Sequence, residues 1–237
     1  MTGPVVAISV DCVCAAQGKC YGTEIVEAAE QYSVPLTWLI GVAEHDPMSN
    51  LRLYHNEYFH RIPAWHEIGL RLAFDAGAGN TVNRGDLIRV GKDLMKQFSI
   101  KPTAFRAAHG DLEAADITAL EDIGILVDST PGSSAARPLN APKAPYHPSR
   151  ANIHQPGDAK LWIAPVANIN GARGYLDDGF DRLKPVIEAH LALSNILVLG
   201  LTDNAANGEN LRHAISYLKQ RSARFVTLTQ LVTEMQE

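Results

Sequence analysis

The chain has 237 residues, with 21 Lys and Arg against 26 Asp and Glu, a formal charge of −5, and 46% hydrophobic residues. That composition is too apolar for a disordered chain, and the absence of any basic run excludes nucleic acid and anionic membrane surfaces as expected partners. No stretch approaches eighteen consecutive apolar residues, so no transmembrane helix is expected. Cys12, Cys14 and Cys20 are the only cysteines and cannot form a disulfide framework, which points to a reducing compartment. No Lys or Arg precedes the first apolar stretch, so it reads as a strand and not as a signal peptide. The expectation is a cytoplasmic α/β protein.

The first strand, VVAISV, ends at Asp11. A helix fits residues 22–32, with Ile25, Val26, Ala28 and Ala29 on one face. Residues 36–40 form a second strand after Pro35, and residues 45–61 read as a long excursion with short helical turns. A third strand covers residues 65–70, followed by the loop FDAGAGNTVN. Asn83 caps a helix reaching about residue 98, whose apolar face is Leu87, Val90, Leu94 and Phe98.

Residues 102–106 make a short strand, and residues 111–123 a helix stopped by Gly124. ILVDS is the next strand. Six prolines between residues 130 and 160 predict a long surface loop. LWIAPV is a strand, residues 180–193 are helical despite Pro185, and NILVLGL is a buried strand. A helix over 208–221, the strand RFVTL and a helix over 229–237 close the chain. This makes about seven βα units without internal repeat or linker, hence one domain over residues 1–237. Its sheet is parallel with helices outside, and in a barrel the chemistry belongs at the C-terminal strand ends.

The polar residues at or near those ends are few. They are Asp11, His66, Glu67, Arg71, Arg106, His109, Asp128, Thr202 and Asp203. Acids, imidazoles and guanidinium groups from separate strands suit proton transfer and oxyanion stabilisation.

At these residues the chain resembles the polysaccharide deacetylase family, the carbohydrate esterases built on the nodulation-factor deacetylase domain. AISVDC resembles the family's first motif and WHEIGLRL its HEIG stretch. KPTAFRAAHG and LEDIGILVDST resemble the segments after them, and VPLTWLIG, APYHPSR, LWIAPVAN and the C-terminal LRHAISYLKQRSARFVTLTQLV fit the same order. The resemblance spans nearly the whole chain and implies an irregular (β/α) barrel with about seven parallel strands. It also implies a divalent metal held by an Asp and two His, but here the pattern departs. Cys12 follows Asp11, the two histidine positions fall on Arg71 and Ala73 or on Arg71 and Asp75, and NILVLGLTDN has no His. A guanidinium cannot coordinate and repels a metal. No metal and no cofactor are therefore expected.

What the resemblance leaves is Asp11 as base with Arg106 and Asp128; Arg71, at a lost histidine position, and His109, extra to the pattern, join Asp11 and Arg106 as catalytic candidates. Arg71 and Arg106 are expected to stabilise charge, though neither lowers the pKa of a water as zinc does. His66, Glu67, Asp128, His147 and Trp38 are the expected substrate contacts. Each has a structural alternative. Asp11 could cap a helix or pair with an Arg, Arg71 could pair with Asp75 or Asp11, Arg106 could hold Asp11 or Asp128, and His66 or Glu67 could be buried for structure. Cys12 beside Asp11 could be a nucleophile, but a core cysteine is the better reading. The expected function is hydrolysis of an amide or ester of a sugar or small molecule. The alternatives are a metal-free lyase or isomerase using Asp11 and His109, or a catalytically silent binding relative. No exposed aromatic platform is visible, which favours a small substrate over a polymer.

Overall fold

A computed structural model describes residues 3–13, 22–42, 51–74, 83–108, 112–131 and 141–236. Its elements run β1 (Val5–Cys12), α1 (Gly22–Tyr32), β2 (Thr37–Gly41), α2 (Leu51–Tyr54), a π-helical turn (His55–Phe59), β3 (Glu67–Leu72), α3 (Arg84–Gln97) and β4 (Ala104–Ala107). There follow α4 (Ala114–Asp122), β5 (Val127–Asp128), β6 (Trp162–Ile163), β7 (Asn168–Ile169), β8 (Ala172–Arg173), a 3-10 turn (Leu176–Asp178) and α5 (Phe180–Leu191). The chain ends with β9 (Ile196–Thr202), α6 (Asn207–Lys219), β10 (Arg224–Val226) and α7 (Leu228–Glu234).

Eight of these strands form one sheet, ordered β10-β1-β2-β3-β4-β5-β6 with β9 also on β1, and all pairs are parallel. The chain beyond β6 joins the two ends of the sheet. Ala167 N–H donates to Val198 O (2.9 Å), Gly200 N–H donates to Gly174 O (2.8 Å), and Tyr175 bridges to Gly200. The result is the irregular α/β barrel expected from the sequence.

Strand periodicity divides the side chains between two layers. Val6, Ile8, Val10 and Cys12 of β1 join Trp38, Ile40, Leu70, Leu72 and Phe105 in the larger core beneath the helices. Ala7, Leu39, Ala104, Val127, Ala164 and Val198 line the barrel interior. Asp11, Gly69, Arg71 and Arg106 alternate with the outer residues and so belong to the inner face. In register, Asp11 lies beside Leu39, Gly41 beside Arg71, and Arg71 beside Arg106.

Several sequence boundaries shift. The third strand starts at Glu67, so His66 lies in the turn before it. ILVDS and LWIAPV yield only two-residue strands, because the prolines that follow leave little regular backbone. The β7–β8 hairpin was not expected. Its turn is Asn170-Gly171 with φ of 51° and 86°, the Asn-Gly pattern of a tight hairpin.

The N-terminal end of the barrel is tied by Glu67. Its carboxylate accepts from the hydroxyls of Thr37 (2.8 Å), Thr103 (3.1 Å) and Thr229, and from Thr229 N–H at the start of α7 (3.2 Å). One carboxylate thus joins three elements and the positive end of a helix. No helix among the described residues is long and apolar enough to cross a membrane.

Candidate active site

At the C-terminal end of β1, Asp11 turns its carboxylate into the barrel. Arg106 Nη1 donates to Oδ1 (2.9 Å), and the Tyr175 hydroxyl donates to Oδ2 (2.9 Å). Arg106, 1% exposed, spends every N–H on protein acceptors. Nε donates to Ser129 O (2.7 Å), Nη2 to Ser9 Oγ (2.8 Å) and Ser129 Oγ (3.1 Å), and Nη1 also to Tyr175 Oη (3.2 Å). The two serines are themselves anchored, Ser9 to Leu199 O and Ser129 to Ala164 O. Burial opposes the guanidinium's charge, but Asp11 and Tyr175 outweigh it and raise its pKa. The ion pair is braced from β1, β4, the residues after β5 and β6, and β9.

Tyr175 follows the hairpin, and its ring lies against the backbone of β9. A Cβ on Gly200 would come 2.7 Å from the ring, so only glycine allows this approach. Burial pushes the phenol well above its ordinary range, Arg106 opposing and Asp11 adding to the shift. It is a neutral donor to a carboxylate. Sequence reading passed over Tyr175 because GYLDDG has no period. The one available signal was Gly174 and Gly200, residues that leave room for a close approach.

Arg71 is buried at the end of β3, on the same inner face and in register with Arg106. The structure thus pairs Asp11 with Arg106 and places Arg71 on the same inner face, its backbone beside that of Arg106. His109, Asp75, Cys14 and Cys20 lie outside the described residues.

Four of the five expected substrate contacts lie away from this mouth, and the fifth, Asp128, is at the mouth end of β5 but on its outer face. Glu67 ties the opposite end of the barrel. His66, also at that end, accepts at Nδ1 from Leu36 N–H (3.1 Å) and Trp38 Nε1–H (3.2 Å). Burial lowers its pKa to about 4, so the ring is a neutral acceptor. Trp38 is fully buried in the outer core with Tyr58 against it. His147 packs at a tilt against Trp162 with ring centroids 3.9 Å apart, beside Leu161 at the start of β6. Asp128 alternates with the inward Val127 and so faces the helices, where its carboxylate accepts from the hydroxyl (2.6 Å) and N–H (3.1 Å) of Thr130. In each case the residue type was suggestive, but strand end or strand face removed it from the site.

The described donors do not fit a divalent ion. Both Asp11 oxygens hold protein donors, and Asp203 accepts from Val13 N–H (2.7 Å) and the Tyr58 hydroxyl (2.5 Å). Cys12 faces the outer core, and Arg71 brings a cation to the same face. Among the described residues no three His, Cys, Asp or Glu side chains come together as a metal site.

Two outcomes test these assignments. Replacing Arg106 by Met leaves a buried carboxylate without its cation and is expected to cost about 3–5 kcal/mol in urea unfolding. Adding Asp11→Asn should restore part of that loss, whereas additive losses would mean that the two side chains do not interact in solution. Asp128, whose pKa burial raises from 3.8 to about 7, binds its proton more tightly folded than unfolded. Its contribution to stability is therefore full below pH 4 and lost as pH rises towards 7. Asp128→Asn should remove that fall, while the opposing His66 titration is common to both proteins and cancels. Parallel pH–stability curves would contradict the shift.

No family model matches the chain, and no curated protein matches it in sequence. Solved structures do match. A Mycobacterium smegmatis protein classed with the polysaccharide deacetylases is 12% identical with a TM-score of 0.67, over 98% of this chain and 90% of that one. A CE4 family pseudoenzyme from Bacillus anthracis is 12% identical with a TM-score of 0.62, over 97% of this chain and 65% of that one. A family 4 carbohydrate esterase from Streptomyces lividans, solved with acetate, is 11% identical with a TM-score of 0.52, over 96% and 94%. At such identity the likeness establishes architecture. In its fold, the chain is a polysaccharide-deacetylase-like barrel.

Proposed function

We propose that the chain hydrolyses an acyl ester of a sugar or small molecule at the barrel mouth, with Asp11 as the base. The observation that carries this reading is the buried Asp11–Arg106 ion pair, held by every donor that Arg106 has. So much structure is committed to fixing one carboxylate at a strand end.

In the proposed step a water attacks the acyl carbon while Asp11 removes its proton. Each Asp11 oxygen has a second lone pair beyond the one its protein donor uses. The tetrahedral oxyanion develops towards Arg71. Collapse expels the alcohol, which takes the proton back from Asp11 and leaves the carboxylic acid. Arg106 positions Asp11 and does not itself meet the oxyanion, since its N–H groups are committed. This changes its expected role from charge stabilisation to positioning. An alkoxide leaves far more readily than an amide anion, so a site of these groups favours an O-acyl substrate over an N-acyl one.

A second reading, a silent sugar-binding relative, draws on one observation. Both Asp11 oxygens already accept from protein donors. Acetate release from O-acetylated and N-acetylated sugars by chelator-treated protein separates the two. The expected result is release from the O-acetyl compounds alone, reduced about 10²–10⁴-fold in Asp11→Asn. Saturable sugar binding without acetate release would select the silent binder, and release unaffected by Asp11→Asn would remove Asp11 as base.

A further inference from the structure

Beside the site lies a cleft of about 450 Å³ lined by Gly171, Ala172, Arg173, Tyr175, Asp177 and Asp178. This volume is in the range of small-molecule sites. Tyr175 belongs both to the cleft wall and to the Asp11 network, so whatever fills the cleft abuts that network.

The walls are built. On one side the hairpin turn is closed by the Asn168 side chain, which accepts from Gly171 N–H (3.0 Å), and Lys143 Nζ donates to Asn168 O (3.3 Å). On the other side Asp177 accepts from Thr202 N–H and hydroxyl, from Asn204 Nδ2 (3.0 Å) and from Asn207 Nδ2 (2.9 Å). These neutral donors fix the 3-10 turn to the end of β9 and occupy the Asp177 oxygens, while its charge remains.

Two charged groups of the lining, Arg173 and Asp178, keep their hydrogen-bonding atoms for a ligand. Arg173 and Asp178 are both exposed, and among the described residues neither has an ion-pair partner. A guanidinium held on a hairpin presents a planar fork suited to carboxylate or phosphate. The Asp178 carboxylate in the same lining accepts hydroxyls.

We propose that this cleft is a ligand subsite in which Arg173 selects a sugar bearing a carboxylate or phosphate over a neutral one. On the hydrolytic reading above, the cleft holds the part of the substrate that leads away from Asp11.

The experiment is calorimetric binding of a methyl glucuronide, a glucose phosphate and a neutral methyl glucoside. The proteins are the full chain, Arg173→Ala, Arg173→Glu, and Arg89→Ala as a distant control. The wild type should bind both anionic sugars, or one of them, about fivefold more tightly than the glucoside, with the difference shrinking at high salt. Which of the two is preferred identifies the anion. Arg173→Ala should abolish the preference, Arg173→Glu should reverse it, and Arg89→Ala should leave it intact. Equal binding of all three sugars by the wild type, or a preference that survives Arg173→Ala, overturns the subsite. The hydrolytic reading fails separately. Arg173-dependent binding without ester cleavage would retain the subsite and discard the hydrolase, and cleavage indifferent to Arg173 and sugar charge would do the opposite.

Discussion

A guanidinium buried to 1% exposure is a liability unless each of its donors and its charge are met. Arg106 meets both conditions, and much of the barrel mouth is arranged to make that so. Ser9 must point inward from β1, the chain after β5 must offer both a carbonyl and a hydroxyl at Ser129, and Tyr175 must lie flat on Gly200. Each requirement constrains a different element. The ion pair therefore fixes Asp11 in the barrel more firmly than a surface pair could.

The two ends of the barrel use carboxylates differently. Glu67, at the N-terminal end, gathers three threonine hydroxyls and a helix N-terminus and has a purely structural set of partners. Asp11, at the C-terminal end, is held by an ion pair and a phenol beside an open cleft. This division follows the general rule for parallel barrels, in which one end carries stability and the other the loops available for function. His66 follows Glu67 in this respect. It serves as a neutral acceptor for the Leu36 N–H and the Trp38 indole.

Much of the fold was legible because periodicity and punctuation reported it. The α1 boundaries, the Asn83 cap and the Gly124 stop came directly from spacing and capping chemistry. Asp11, Arg71 and Arg106 were legible because their strands have clear ends. His66 and Glu67 lie at the other end of the barrel because a short apolar run does not announce where its strand starts, and Trp38 and Asp128 face outward because a short strand does not announce its face. Tyr175 was marked only by the glycines at 174 and 200. It sits in irregular backbone, and its partners are 164 and 69 residues away in sequence.

The Asp11–Arg106 pair bears directly on what the mouth can hold. A divalent ion at Asp11 would have to share the carboxylate with the Arg106 and Tyr175 donors and settle on the same face as Arg71. The most direct test of this is calorimetric titration of metal-free protein with zinc and cobalt, repeated on Asp11→Asn. The expected result is no stoichiometric binding that depends on Asp11. One ion per chain, lost when Asp11 becomes Asn, would contradict the central claim that the carboxylate is held by Arg106 and not by a metal.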